Sequence, residues 1–285
     1  MKFPNRNIRA VVVTGLAVAL LAFGTGSSSG EPVDLHADAS LSALIDVHAL
    51  YAHDDFDGPV NSPLDPAMWH IETGGVGWGG SEAQAYTAAP DNVRLDGSGN
   101  LVIEAREDNG HITSARVNTQ DLVELTTGLV AARIQMPAGQ GLHPAFWMLG
   151  RSIRDVGWPA SGEIDIVELL NEGSTAYFTV LGPPVPAGPG PGTHSQAQFT
   201  LRSTDLVNSF HTYWLYKQPE MLVFGIDETP VATVTPAELA SGAPWIYDTP
   251  FFAVLNLAVG GTWPGPVGAG VLPARMTVDW VRFYR

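Results

Sequence analysis

The sequence predicts an all-β protein, a β-sandwich of two stacked antiparallel sheets. Three observations carry that prediction. From Tyr51 onward, short runs alternate apolar and polar residues with the two-residue period of a strand. Gly and Pro, 31 and 22 of the 285 residues, punctuate those runs at the spacing of about 8–12 residues expected between sandwich turns. No long helical period interrupts the pattern.

The chain opens on Lys2, Arg6 and Arg9, then an apolar run from Ala10 to Phe23, then a Gly/Ser stretch. The run is too short and wrongly flanked for a membrane span, so residues 1–30 read as a signal peptide. Cleavage falls within Gly24–Gly30 or after Ala39; a retained signal anchor is the alternative. Residues 31–50 read as an N-terminal linker with one brief amphipathic piece around Leu41–Leu50. Residues 51–285 read as a single domain. Asn92–Leu95, Asp96-Gly97-Ser98-Gly99 and Leu101–Ala105 form a strand, a turn and a strand. Ile112–Thr119, Thr127–Met136, Ala145–Leu149, Glu163–Leu169, Tyr177–Leu181, Gln198–Leu201, His211–Tyr216, Met221–Ile226, Phe251–Ala258 and Thr277–Tyr284 read as further strands. Pro236–Ser241 reads as one short helical turn. Pro183–Gly192 is a Pro/Gly loop just downstream of an acidic strand, placed to border a cleft.

The formal charge is −15. Loss of Lys2, Arg6 and Arg9 with the signal leaves 29 acidic against 11 basic side chains, or −18. Such a surface argues against nucleic acid and against anionic membranes once the signal is gone, and favours a neutral partner. There is no cysteine. An exported protein without disulfides depends on its core, or on a metal. An acidic, cysteine-free sandwich is expected to be a monomer.

The most informative stretch is Gly162-Glu163-Ile164-Asp165-Ile166-Val167-Glu168. Strand alternation puts Glu163 and Asp165 on one face. Glu168, five positions from Glu163, would face the other way in a regular strand. A β-bulge would correct the parity and bring all three carboxylates onto one surface. Four effective steps of about 3.3 Å place the outer Cα atoms about 13 Å apart. Side chains reaching inward would then bring the carboxyl groups to roughly 5 Å, the separation that supports retaining glycoside hydrolysis.

Aromatic residues surround this strand in sequence. His143-Pro144-Ala145-Phe146-Trp147 precedes it, Trp158-Pro159 leads into it, and Asn256 to Pro264, with Trp263, lies near the C-terminus. A sugar ring has an apolar face that stacks on an indole, so Trp147, Trp158 and Trp263 are candidate substrate contacts; the sandwich core is the alternative place for each. Phe146 and Trp147 alternate, which assigns one to the core and one to the cleft. His143 suits a proton shuttle, a sugar donor or a loop histidine with its own partners. Arg116 suits a sugar hydrogen bond or charge balance. Asp54-Asp55 and Asp279 bracket the domain and, with a backbone carbonyl, form a candidate site for a hard cation such as calcium. The chain has no Cys/His zinc pattern, phosphate-cradling glycine motif or nucleophilic serine elbow.

Glu163-Ile164-Asp165-Ile166-Val167-Glu168 resembles the catalytic signature of glycoside hydrolase family 16. The six-residue form is similar to that of its laminarinase-type (endo-β-1,3-glucanase) branch. The five-residue form, without the extra apolar residue, is instead that of the bacterial lichenases and xyloglucan transferases. Gly77 to Glu82, Asn92-Val93-Arg94, Met136 to Leu149, Trp158 to Glu168, Phe251 to Pro264 and Val278 to Tyr284 resemble laminarinase segments in the same order.

That resemblance implies a concanavalin-like jelly roll with a concave cleft. It makes Glu163 the nucleophile, Glu168 the general acid/base and Asp165 the residue that holds and tunes the nucleophile. It adds Asn92 to the substrate contacts. It places a structural calcium at Asp55, the carbonyl of Gly99 and Asp279, and no cofactor in catalysis. The implied activity is secreted, retaining hydrolysis of β-1,3-glucan or mixed β-1,3-1,4-glucan. A β-glucan-binding lectin-like protein and a same-family galactan hydrolase are the alternatives. Three departures bear on this reading. Laminarinases often carry Trp where this chain has His143, and many carry His-Gly-Pro where this chain has Leu181-Gly182-Pro183. The Glu of the usual Asp-Glu-Phe opening is the shorter Asp55.

Overall fold

The computed structural model of the chain describes residues 39–75, 78–184 and 194–285. The expected signal peptide, residues 1–30, and most of the Pro183–Gly192 loop lie outside the described residues. The elements are α1 (Leu41–Val47), β1 (Leu50–Asp54), β2 (His70–Glu72), β3 (Gln84–Tyr86), β4 (Val93–Leu95), β5 (Leu101–Asp108), β6 (His111–Ser114), β7 (Arg116–Asn118), β8 (Glu124–Leu125) and β9 (Gly128–Gln135). They continue with β10 (Leu142–Gly150), α2 (Ile153–Val156), β11 (Glu163–Leu169), β12 (Thr175–Leu181), β13 (Ser195–Arg202), β14 (Phe210–Gln218), β15 (Met221–Ile226), β16 (Thr229–Val234), β17 (Phe251–Val259) and β18 (Ala274–Tyr284).

These strands form the two sheets expected from the alternation. A ten-stranded sheet runs β16-β15-β14-β9-β18-β5-β6-β3, with β1 added to β18 and β4 to β5. An eight-stranded sheet runs β13-β12-β11-β10-β17-β7-β2, with β8 added to β17. Every named pairing is antiparallel except β3 with β6. The core lies between the sheets. Ile103, Ala132 and Ile134 from one sheet meet Phe146, Met148, Ile164 and Leu255 from the other, all fully buried. Each large apolar side chain buried here contributes about 1.5–3 kcal/mol, which is how a chain without disulfides holds together.

Two parts of the chain depart from the alternation reading. Ile112–Thr119 is not one strand. Its first half, β6, belongs to the ten-stranded sheet and its second half, β7, to the eight-stranded one. The chain crosses at Ala115, which is fully buried, and Ser114 Oγ fixes the crossing by donating to the Leu257 carbonyl at 2.6 Å. Residues from Ala39 to Leu50 are not linker. Ser40 caps α1 by accepting from the Ala43 N–H. Leu41 and Leu44 then pack on Leu129, Ala131, Trp214, Tyr216, Val223 and Tyr284, the outer face of the ten-stranded sheet. β1 follows and pairs with β18. The segment 236–238 is a hydrogen-bonded turn and not a helix; Thr235 N donates to Glu238 Oε2 at 2.9 Å.

The outer face of the eight-stranded sheet is left open. Ala145, Trp147, Leu149, Phe252 and Val254 of β10 and β17 form its apolar floor, and β11 runs beside β10 along it.

Candidate active site

Strand β11 carries the predicted bulge. Against β10, Phe146 faces Val167 and Trp147 faces Asp165, so Ile166 has no partner. Against β12, Asp165 faces Thr179 and Glu168 faces Tyr177, so Ile166 and Val167 together oppose Phe178. Both are fully buried in the inter-sheet core. Two successive inward residues reset the alternation, and Glu163, Asp165 and Glu168 all line the same outer cleft. The bulge is shared by Ile166 and Val167. The entry into β11 needs Gly162, whose φ is +81° and whose position leaves a Cβ only 2.9 Å from the Phe251 ring.

The cleft has a volume of about 570 Å³, within the range of small-ligand sites, about 300–1,000 Å³. Of the sequence-predicted residues, Glu163, Asp165, Glu168, Arg116, His143, Trp147, Trp158 and Trp263 all line it. Phe146 is the core partner of the alternating pair and Trp147 the cleft partner.

Asp165 is buried against the floor, and its carboxyl hydrogen-bonds that of Glu163. Burial, then the charges of Glu168 and Glu163, push its pKa well above the usual carboxylate range, so it keeps its proton and donates it towards Glu163. Glu163 is raised to about 7, first by burial and then by the charge of Glu168. Three groups act in the opposite direction: the Trp158 N–H at 2.7 Å, the Asp165 hydrogen bond and the Arg116 charge. Glu168 accepts or shares a proton at 2.7 Å with His143 Nε2, and both side chains are largely shielded, at 13% and 18% exposure.

Arg116 does not present a free guanidinium to the cleft. It lies between the rings of Trp78, at 4.8 Å, and Trp147, at 4.6 Å, and pairs with Glu72. Trp147 Nε1 donates to Asn256 Oδ1 at 2.7 Å, and Asn256 Nδ2 donates to Tyr86 Oη at 3.1 Å. This network fixes the floor beside the carboxylates. At the Glu168 end, Trp263 stands edge-on to both His143, at 5.3 Å, and Tyr177, at 4.9 Å. Trp158 and Trp263 remain 48% and 44% exposed, which leaves indole surface available to a sugar face.

Asn92 is a correction. It is 2% exposed and is not among the cleft residues. Its amide donates to the Glu104 carbonyl and to Thr113 Oγ1, while its oxygen accepts from Thr87. It ties the start of β4 to β5 and β6, a structural task. Sequence reasoning gave no role to Glu72, Trp78, Glu82, Tyr86 or Asn256, all of which line the cleft, nor to Tyr177, which flanks Trp263. Trp78 and Glu82 lie in the Gly77–Glu82 segment and Asn256 in the Asn256–Pro264 segment, both singled out in the sequence without a role for these residues; Glu72, Tyr86 and Tyr177 had no local signal.

The residues proposed for calcium fit it poorly. Asp55 Oδ1 accepts from Arg282 at 2.8 Å, and Asp279 pairs with Arg133. Gly99 does lie beside the Asp55 carbonyl and the Asp57 carboxylate. Yet among the described residues no three acidic or histidine side chains converge on one point, whereas calcium takes 6–8 oxygens. Guanidinium groups already neutralise both carboxylates.

Residues 80–282 match the family model described as "Glycosyl hydrolases family 16". Over 254 residues the chain is 34% identical to a "Beta-glucanase" of Rhodothermus marinus, covering 81% of this chain and 83% of that one. It is 31% identical over 261 residues to "Glucan endo-1,3-beta-glucosidase A1" of Niallia circulans, but spans only 37% of that longer protein. The fold superposes on the X-ray structure of an endo-β-1,3-glucanase from Pyrococcus furiosus with a TM-score of 0.73 and 37% identity, over 83% of this chain and 94% of the other. The two antiparallel-rich sheets match that neighbour and bear out the expected jelly roll. The match spans both sheets and the whole of the bulged acidic strand, and on that ground this chain belongs to glycoside hydrolase family 16.

Proposed function

We propose that this protein is a secreted, retaining glycosidase that cleaves β-1,3-glucan of the laminarin type, or mixed β-1,3-1,4-glucan. The observation that carries the reading is the bulge in β11, which puts Glu163, Asp165 and Glu168 on one wall of a cleft lined by exposed tryptophan. The names borne by its relatives support the substrate class.

The chemistry assigned to these groups proceeds in two steps. Glu163, as carboxylate, attacks the anomeric carbon while Glu168 delivers its proton to the leaving oxygen; the glycosidic bond breaks and a glycosyl ester forms. Glu168, now a carboxylate, takes a proton from water, whose oxygen attacks the same carbon and releases Glu163. Asp165 stays protonated and orients Glu163 through their hydrogen bond. The neutral substrate suits a cleft whose charges are already paired or shared, and the indoles of Trp158 and Trp263 offer it stacking surface.

Export is supported by Lys2, Arg6 and Arg9 before the Ala10–Phe23 run. Among the described residues no helix is long and apolar enough to cross a membrane. A purely binding protein would have no use for a paired nucleophile and proton donor, so the intact trio favours the enzyme. Release of reducing sugar from laminarin tests the reading. The wild-type protein is expected to be active, and Glu163→Gln and Glu168→Gln are each expected to lose about 10²–10⁴-fold or more. Laminarin binding with no release of reducing ends would overturn it in favour of a lectin-like role.

A further inference from the structure

The histidine at the leaving-group end of the cleft does not behave as a free sugar donor. His143 Nε2 is 2.7 Å from Glu168 Oε1, so that nitrogen is already committed. Its ring is also fixed from the other side. Trp263 meets it edge-on with an interplanar angle of 86°, and Tyr177, directly across the β11–β12 ladder from Glu168, braces Trp263 in turn. His143 sits on β10, where its backbone pairs with Ala258 of β17. Strand pairing therefore fixes the ring's origin and aromatic contact fixes its face. Its own backbone, paired within β11, restrains Glu168 from the other end. Its partners Glu163 and Asp165 lie at the far end of the bulge and bond each other.

We propose that His143 is a positioning residue that holds the Glu168 carboxyl in the orientation from which it protonates the leaving oxygen. The inference rests on the hydrolase reading above and deepens it. A general acid delivers its proton along one hydrogen-bond direction, and a carboxyl free to turn about its last side-chain torsions spends little time on that line. The bond to Nε2 removes that freedom at one oxygen and leaves the other to face the substrate. The role predicts a dependence on the leaving group. A sugar alcohol cannot depart without a proton, so its cleavage needs Glu168 correctly aimed. A dinitrophenolate departs unaided, so the first chemical step on its glycoside needs only Glu163.

The test compares kcat/KM for laminarin and for 2,4-dinitrophenyl β-laminaribioside in the wild type, His143→Phe and His143→Gln. His143→Phe is expected to lose about 10–100-fold on laminarin, a fraction of the full general-acid contribution, and less than twofold on the aryl glycoside. His143→Gln places an amide near the position of Nε2 and is expected to recover most of the laminarin activity. Because the ring is partly exposed, His143→Gln also serves if the Phe variant folds poorly. Equal loss on both substrates would mark a sugar contact or general damage and overturn the proposal. No loss on either, or a Gln variant as impaired on laminarin as Phe, would overturn it too. A wild-type protein that cleaves neither substrate overturns the hydrolase reading itself.

Discussion

Trp158 Nε1 donates a 2.7 Å hydrogen bond to Oε2 of Glu163. The tryptophan read from sequence as a stacking platform thus also touches Glu163, the proposed nucleophile, directly. Its N–H favours the ionised carboxylate and opposes burial, the larger effect, which raises the Glu163 pKa to about 7. Glu163 must be ionised to attack, so kcat/KM should fall as pH drops through about 7. Trp158→Phe keeps a ring for stacking and removes the N–H. The acid limb is then expected to move upward by roughly half to one pH unit, the size of a partly solvated hydrogen bond to a charge. A pH–rate profile of the variant checks this, and an unmoved limb would remove Trp158 from the tuning of Glu163.

The raised carboxyls also set a pH dependence of stability. Glu163 and Asp165 have ordinary values of 4.5 and 3.8 and bind their protons more tightly when folded. Stability from them is fully present below those values; the Glu163 part is lost as pH rises through about 7, and the Asp165 part as pH rises through its own raised value. For Glu163 the decline is on the order of 2–3 kcal/mol. Glu163→Gln, neutral at all pH, should therefore raise Tm by roughly 4–10 °C at pH 7 and by little at pH 4. Calorimetry at the two pH values measures it, and an equal shift at both would show that burial of charge is not the cause.

The bulge separates packing from chemistry in β11. Val167 faces the core and touches no substrate. Val167→Ala should cost about 1–3 kcal/mol in urea unfolding, by the cavity it leaves, with kcat unchanged at a temperature where the protein is folded. Deleting Val167 leaves Glu163-Ile164-Asp165-Ile166-Glu168, in which plain alternation without a bulge keeps all three carboxylates on the cleft face, so activity should persist in any fraction that remains folded. A deletion variant that folds, by circular dichroism, but is inactive would contradict the parity assigned to the bulge.

The two-sheet architecture and the carboxylate wall were legible because each follows from a short-range period. The continuous apolar run Phe251–Ala258 and the strand texture of Thr277–Tyr284 are local properties, and so is the broken parity at Ile166-Val167. What escaped depended on distant parts of the chain. The amphipathic piece around Leu41–Leu50 was visible, but its docking as α1 on Trp214 and Tyr284, which makes it part of the domain, was not. Ile112–Thr119 has continuous strand texture, and only the inter-sheet crossing at Ala115 divides it. Asn92 shares a motif with substrate-side segments but is turned inward by Thr87 and Thr113. The Glu72–Arg116–Trp147–Asn256–Tyr86 network joins five strands, β2, β7, β10, β17 and β3, and no spacing in the sequence announces it.

The central claim is that Glu163 and Glu168 act from one wall of a single cleft as nucleophile and acid/base. Its most direct test is the anomeric configuration of the first product, followed by proton NMR during laminarin hydrolysis. Retention predicts the β-anomer of the new reducing end first, with the α-anomer appearing only by mutarotation. Initial formation of the α-anomer would mean inversion, a water between more widely spaced carboxylates, and would contradict the geometry assigned to the bulged strand.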